Sequence, residues 1–391
     1  MVLTEHRRPK RLRPINAWGR VLCVGAAFAI ICGCDRYPLD TGDRELLELE
    51  RVWQYMRVFS IYTDRVPNHE TALSVRYPEE LVAMLRDTLH SPGSSIAQYY
   101  GVYTRDYADL LPAETGMKKS RSRAASSSVD AYKLTNEVAY IRIASFEGDT
   151  RRRLEDMATT IDGCPSLIID LINNGGGDLD GCSSAVDLFL PAGITYLTTT
   201  YRQNIYTTGD TGTIANKRWR SRRSNDLFED KQVVLLVNQG SASAAEIFAV
   251  ALRDGMGADS CTIAGETTLG KSIGQYVFRL FSGAGLKLTG FRFFRTDGSD
   301  WNEKGIAPDI VLEKIDPTYL AAADVRNWIL AAGELLQPNF TTPGTRATIA
   351  SIVAETHLYK MPHHASSNTP VADVIVPPKE KPPLSRLNDA Y

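Results

Sequence analysis

The sequence predicts an α/β protein built on a buried, largely parallel sheet. Three observations point there. The apolar, β-rich runs Val138–Ile143, Leu167–Leu171, Ile194–Thr198 and Val233–Val237 alternate with helical stretches near 149–161, 181–190 and 243–254. After residue 260 the pattern turns to strands, at 261–264, 275–281, 286–295 and 309–313. Two glycine-punctuated segments, Gly240–Phe248 and Gly265–Ser272, fall where apolar strands end. At 391 residues the chain is long enough for one large domain or two modest ones.

The elements divide the chain as follows. Residues 1–33 carry a basic run, His6–Arg13, and then an apolar run, Val21–Ile31, too short to span a bilayer as a helix. Ile31–Cys34 follows, with small residues ending in cysteine. This is the layout of a secretory signal peptide, and the cysteine makes it resemble a bacterial lipoprotein signal with Cys34 lipidated. The expected location is therefore the bacterial cell envelope, on a periplasmic or extracytoplasmic face, with a membrane contact through the lipid. Residues 34–115 read as a small helical region. Leu46, Leu49, Trp53 and Met56 share one helical face, and Tyr77–Glu80 opens a second helix through Leu81, Met84 and Leu85. Residues 116–133 are basic and serine-rich, a linker. Residues 134–315 hold the α/β core. Residues 316–391 give a C-terminal helix from Asp316 to about Leu336, then a disordered tail rich in proline and lysine.

The net charge of −2 gives no global field for nucleic acid, so no nucleic-acid partner is expected. The basic run Lys217–Arg223 reads as a solvated loop. Beyond Cys34 the cysteines are Cys164, Cys182 and Cys261, and no two have the spacing of a metal site. No metal or other cofactor is expected. Cys164 and Cys182 bracket a strand, so a bridge and two buried thiols are both open.

Val233–Val237 enters a turn at Asn238–Gly240, and a helix follows from Ala242 to Arg253. A serine at that turn, Ser243, sits where helix amides point outward and the helix dipole is positive. Such amides can hold the oxyanion formed when serine attacks a carbonyl. A plain structural reading competes, because Ser243–Glu246 also spells a capping box. Leu167–Gly177 is a buried strand running into Gly175–Gly177, whose backbone can approach a ligand closely and aim amides at it. The glycines do not fit a dinucleotide fingerprint, and Asp178 and Asp180 do not complete a calcium loop.

Gly265–Ser272 fits G-x-x-x-x-G-K-[ST], the phosphate loop of nucleotide hydrolases. That loop needs a helix starting at its Lys-Ser, whereas Ile273–Leu280 is β-branched and aromatic. The competing reading places Lys271 in a partly buried pocket, where burial favours the neutral amine and lets it take a serine proton. The alternative base is a histidine: His69 and His90 in the helical region, or His357, His363 and His364 near the tail.

These segments in this order resemble the C-terminal processing, or tail-specific, serine proteases over roughly residues 134–314. The resemblance rests on Asp170–Gly177, Ser241–Phe248, Gly265–Lys271 with Gln275, Leu286–Thr289 and Gly305–Asp309. It implies a ClpP/crotonase-like protease core. It implies Ser243 as nucleophile, Lys271 as general base and Gln275 as the group that positions the lysine. It implies backbone oxyanion donors at Ala244 and Gly176. Asp254 falls at an acidic position of the motif, and a solvated helix-end residue is the expectation there. Ile172 stands where the family usually has arginine, Gly175 where it often has proline, and no PDZ segment is evident before residue 134. The expected function is an exported serine endopeptidase acting on envelope proteins. The alternatives are an inactive peptide-binding scaffold on the same fold and, remotely, a nucleotide hydrolase, which predicts a helix after Lys271.

Overall fold

The computed structural model describes residues 41–75, 77–88, 93–97, 128–203, 213–222, 227–280, 284–316 and 320–355. The expected signal peptide, Cys34, His90, residues 116–127 and the segment beyond 355 lie outside the described residues. Residues 41–47 belong to a first unit, Met1–Leu47 with Pro382–Tyr391, and form the start of the first helix. All other described residues belong to a second unit, Glu48–Lys381.

The described strands are β1 (Ser95–Ala97), β2 (Val129–Lys133), β3 (Val138–Ile143), β4 (Ser166–Asp170), β5 (Thr195–Gln203), β6 (Thr213–Arg220), β7 (Gln232–Val237), β8 (Cys261–Gly265), β9 (Ile273–Arg279), β10 (Gly285–Phe294) and β11 (Ile310–Val311). The described α-helices are α1 (Thr41–Phe59), α2 (His69–Ser74), α3 (Pro78–Ala83), α4 (Thr150–Met157), α5 (Leu179–Val186), α6 (Ala244–Met256), α7 (Ala322–Leu336) and α8 (Pro343–Glu355).

One sheet has the order β11-β8-β7-β4-β3-β2, parallel except for β2 at its edge. Its central strands β3, β4 and β7 are buried at every position except Gln232 because both faces are covered. Leu167, Ile169, Val233 and Leu235 enter one core with Phe146, Phe189 and Phe248. Ile168, Val234 and Leu236 enter a second core with Trp328, Ile329 and Phe340. Helices α4, α5 and α6 supply the first face, and α7 and α8 the second. Each such fully buried side chain contributes roughly 1.5–3 kcal/mol.

The other sheet is antiparallel, with the order β1-β10-β5-β6 and β9 paired to β10. A β-bulge interrupts β10 between Thr289 and Phe291, opposite Gln275 and Gly274. Leu286 and Leu288 of β10 form a third core with Trp53 and Met56 of α1, Leu81 of α3, and Leu85. Leu49, Trp53 and Met56 are buried, as their common face requires.

Three expectations are corrected, and one open alternative is decided. The linker does not reach 133, because Val129–Lys133 forms β2, whose Val129 and Ala131 are buried in alternation. Lys217–Arg220 is not loop but the end of β6, an edge strand. Its Trp219 Nε1 donates to Thr199 Oγ1, and the Lys217 ammonium lies 4.1 Å from the indole centroid. Charged side chains suit an edge strand because they discourage pairing with another chain. The last predicted helix begins at Ala322 rather than Asp316, and a second helix, α8, follows it. Thr342 Oγ1 accepts from the Thr345 N–H at the start of α8, and Ile349, Ile352 and Val353 are buried. Cys164, Cys182 and Cys261 are free and buried, so the bridge between Cys164 and Cys182 is not formed.

Helix α7 can approach Phe340 only because residue 333 is glycine. A Cβ there would stand 2.0 Å from the Phe340 ring. Gly333→Ala is expected to lower the unfolding free energy by roughly 1–3 kcal/mol through overpacking. Urea denaturation checks this, and a net gain from helix propensity would contradict it.

Candidate active site

The parallel sheet gathers three loops at one edge. They leave the C-terminal ends of β4, β7 and β8, which are adjacent in the order β8-β7-β4. This is where ligands meet open α/β sheets, because the chain reverses there and leaves a crevice. The first loop carries Gly175–Gly177, the second Ser243 and the third Lys271.

Paired amides and hydroxyls lock the first two loops together. Asn238 Oδ1 accepts from the Asn173 N–H at 2.8 Å, and Asn238 Nδ2 donates to Asn173 Oδ1 at 2.8 Å. Ser241 Oγ donates to the Leu171 carbonyl at 2.7 Å. The Ala242 N–H donates to the Asn174 carbonyl at 2.9 Å.

Ser243 stands just before α6, with φ 56° and ψ −117°. An ordinary N-cap residue lies in the β region. A non-glycine residue at positive φ costs of order 1–3 kcal/mol, and such strain collects at functional sites. Capping alone does not require this geometry. The Ala244 N–H has no hydrogen-bond partner among the described residues. Gly176 packs directly on the serine: a Cβ on it would stand 2.7 Å from Ser243 Cβ and 2.8 Å from Ala244 N, and its φ is +103°.

One expectation fails here. The Gly176 N–H donates to Asn174 Oδ1 at 2.9 Å, so its hydrogen is turned into the loop. Asn174 is fully buried and fixed in turn by donating Nδ2 to the Ile143 carbonyl. Gly176 therefore offers its α-carbon to Ser243 rather than its amide. The Gly177 N–H has no partner among the described residues. Gly177 forms a parallel bridge with Phe146 through its neighbours, which leaves its own amide facing away from Phe146.

Lys271 is brought to the serine turn by Glu246. Glu246 Oε2 accepts from the N–H groups of Ser243 and Lys271, each at 2.8 Å. Its Oε1 accepts from the Gly270 N–H at 2.7 Å and from Thr268 Oγ1 at 2.6 Å. Burial pushes the Glu246 pKa up, and these four hydrogen bonds oppose the shift without cancelling it. Three of the four donors are backbone N–H groups that can only donate, which favours the ionised carboxylate. Burial also pushes the Lys271 pKa below its usual value, with attraction to Glu246 working the other way.

The nucleotide reading fails on the same bonds. The amides that would cradle phosphate, those of Gly270 and Lys271, are taken by Glu246. The segment after Lys271 is strand β9 and not a helix. Ser272 is fully buried and donates to Asp300 Oδ1.

Gln275 is not joined to Lys271. Four residues of extended chain span up to about 13 Å. Gln275 sits opposite Thr289 in the ladder, and its Nε2 donates to Thr289 Oγ1 at 3.4 Å. Thr289 Oγ1 donates in turn to Asp87 Oδ2 at 2.5 Å. Burial raises the Asp87 pKa, but hydrogen bonds from Thr289, Tyr62 and Ser94 outweigh it and hold the carboxyl below its usual value. Lys287, two residues before Thr289, has its pKa lowered by burial and then by the charge of Lys271, while Asp87 opposes both. Asp87 and Lys287 were not legible as site residues. Only the tertiary fold brings Asp87 to β10.

The remaining candidates are structural. Asp254 is not a solvated helix end; Arg295 clasps it with Nε at 3.0 Å and a terminal nitrogen at 2.5 Å. Ile172 is buried in the second core. The guanidinium beside it comes from β3: Arg142 donates to the Ile172 carbonyl at 3.3 Å and lies 3.4 Å from Asp170 Oδ1. His69, the one described histidine, pairs with Glu50 and packs on Trp53.

The site thus holds a serine strained at a helix N-terminus and, tied to the same helix through its backbone, a partly buried lysine. Residues 137–312 match the model of peptidase family S41. A carboxyl-terminal-processing protease of Synechocystis sp. is 28% identical over 279 residues, covering 71% of this chain and 58% of that protein. A probable CtpA-like serine protease of Staphylococcus aureus is 31% identical over 202 residues, covering 51% of this chain and 38% of that protein. The chain thus spans 58% and 38% of the lengths of these relatives. Among solved structures, a photosystem II D1 C-terminal processing protease aligns with a TM-score of 0.48 and 19% identity, covering 72% of this chain and 95% of that one.

Glu246→Gln puts an NH₂ group against two of the four donors. It is expected to destabilise the fold by roughly 3–5 kcal/mol, as breaking a buried charged network does. Thermal and urea melts check this, and a change under about 1 kcal/mol would contradict it.

Proposed function

We propose that the protein is a serine endopeptidase that cleaves peptide bonds through an acyl-enzyme on Ser243, with Lys271 as general base. The observation that carries this reading is the strained backbone of Ser243 at the start of α6, tied through Glu246 to the Lys271 backbone. The match to the S41 family model and the protease relatives support the same class.

In this reading the neutral Lys271 amine takes the Ser243 hydroxyl proton as Oγ attacks the peptide carbonyl carbon. The carbonyl oxygen becomes an oxyanion. Its donors are the N–H groups of Ala244 and Gly177, the latter replacing Gly176, and the positive end of α6 adds to them. The lysinium returns the proton to the leaving amine. Water, deprotonated by the same lysine, then releases the acyl group and restores Ser243. The substrates are proteins of the bacterial envelope, reached by export, with Cys34 as the lipid-bearing residue that holds the enzyme at the membrane. No nucleic acid takes part.

Casein hydrolysis by the purified protein tests the reading. Ser243→Ala is expected to lose all measurable cleavage. Lys271→Arg keeps the charge but cannot act as base, so it is expected to lose at least about 10³-fold in kcat. Cleavage that survives Lys271→Arg would move the base elsewhere. Labelling of Ser243 by a fluorophosphonate without any cleavage would favour a binding protein. The pH dependence has a definite sign. The neutral amine is the active form, so kcat/KM is expected to rise with pH through one ionisation below the ordinary lysine value of 10.5. A rate that falls over that range contradicts lysine as base.

A further inference from the structure

Ser272 ends the G-x-x-x-x-G-K-[ST] motif, and a turn at 300–303 takes up both of its donors. Its N–H donates to Asn302 Oδ1 at 3.3 Å, and its hydroxyl donates to Asp300 Oδ1 at 2.5 Å. The same Asp300 oxygen accepts from the Asn302 N–H at 2.7 Å, so the two acceptors are fixed to each other. Asp300 Oδ2 accepts from Arg292 of β10. Glu303, in the same turn, donates its N–H to the Gly270 carbonyl at 2.7 Å. Trp301 anchors the turn in the first core. Burial raises the Asp300 pKa, but hydrogen bonds from Ser272, Arg292 and Asn302 outweigh it and hold the carboxyl below its usual value.

A residue has two soft backbone angles, φ and ψ, and they relate the planes of the two peptides that flank it. Both planes beside Lys271 are held from outside its loop. The Gly270–Lys271 peptide is held at each end, its N–H by Glu246 Oε2 at 2.8 Å and its carbonyl by the Glu303 N–H. The Lys271–Ser272 peptide is held through its N–H by Asn302. The direction in which the Lys271 side chain leaves the backbone follows from those two planes. Helix α6 supplies one part of the hold and the 300–303 turn supplies the rest. The close fit strains the backbone. Glu303 has φ 60°, and Gly270 has φ +91°, where a Cβ would stand 2.7 Å from Gly305 N. A non-glycine residue at positive φ is strained, and such strain collects at functional sites.

We propose that Asp300 and Asn302 are positioning residues for the base: through Ser272 they fix the Lys271–Ser272 peptide, and with Glu246 and the Glu303 N–H they set the direction in which the Lys271 side chain leaves the chain. This rests on the proposed Ser243–Lys271 reading. A general base must stand within hydrogen-bond reach of the proton it takes. An error at the lysine α-carbon is carried out along the flexible four-carbon stem to the amine. Asp300 holds Ser272 and Asn302 with Oδ1 and Arg292 with Oδ2, so its hydrogen bonds to the turn can be separated from its ion pair.

The test uses the full-length protein, with casein turnover and the rate of Ser243 labelling by a fluorophosphonate as separate readouts. Asn302→Ala and Asp300→Ala are each expected to lower kcat roughly tenfold with KM changed by less than about twofold. Asn302→Asp keeps an oxygen for the Ser272 N–H, and Asp300→Asn keeps one for Ser272 and Asn302 while losing the charge. Both are expected to stay within about threefold of the wild-type rate. In a Lys271→Arg background, Asn302→Ala is expected to slow labelling no further. A full additional loss in that background would overturn the proposal, as would a raised KM with unchanged kcat in Asn302→Ala. Thermal melts identify any variant that fails to fold. Asn302 is only half-buried, so Asn302→Ala carries the comparison if Asp300→Ala unfolds. Wild type labelled no faster than Ser243→Ala would instead overturn the Ser243–Lys271 reading, and this proposal with it.

Discussion

The geometry of the candidate site depends on one buried carboxylate. Glu246 lies in the first turn of α6 and takes hydrogen bonds from two loops that leave different strands. Desolvating a charge in this way is costly, and four donors offset the cost only if all are in place. That condition makes the carboxylate a gauge of distance. The Ser243 amide and the Lys271 amide share one oxygen, so the two backbones cannot drift apart without orphaning a buried N–H.

The same carboxylate occupies the amides of a phosphate-loop motif. Amides flanking a glycine turn favour an anion wherever they point into a pocket. Here the chain supplies the anion itself, from the first turn of α6. The following residues then extend as β9 instead of coiling into a helix, because their side chains are needed in the antiparallel sheet. Short motifs of glycine and lysine carry a physical tendency, and the neighbouring structure decides what satisfies it.

The two sheets divide the work. The parallel sheet holds the serine, the glycine turn and the lysine at the ends of three adjacent strands, where rigid backbone limits error in position. The antiparallel sheet brings Gln275, Lys287 and Thr289, on strands that the N-terminal helices cover. The bulge after Thr289 is the local irregularity that lets β10 serve both β9 and β5. Distant ion pairs, Arg295 with Asp254 and Arg253 with Asp309, fasten the far end of α6 and are unconnected to the chemistry.

The sequence by itself determined the alternation of strands and helices, because runs such as Val233–Val237 are apolar at every position only when both faces are buried. It also determined Ser243 and Lys271 as candidates, since a serine before a helix and a lysine among glycines carry local signals. Weak or short signals hid β2, β6 and α8: five alternating residues, a basic strand, and a helix of small side chains. Which amide of Gly175–Gly177 is taken was decided only by the tertiary structure, because it depends on where the buried Asn174 side chain points. The same holds for Arg142 beside Ile172 and for Asp87 beside Thr289. Such contacts join residues far apart in the chain, and no local periodicity records a partner that only folding brings near.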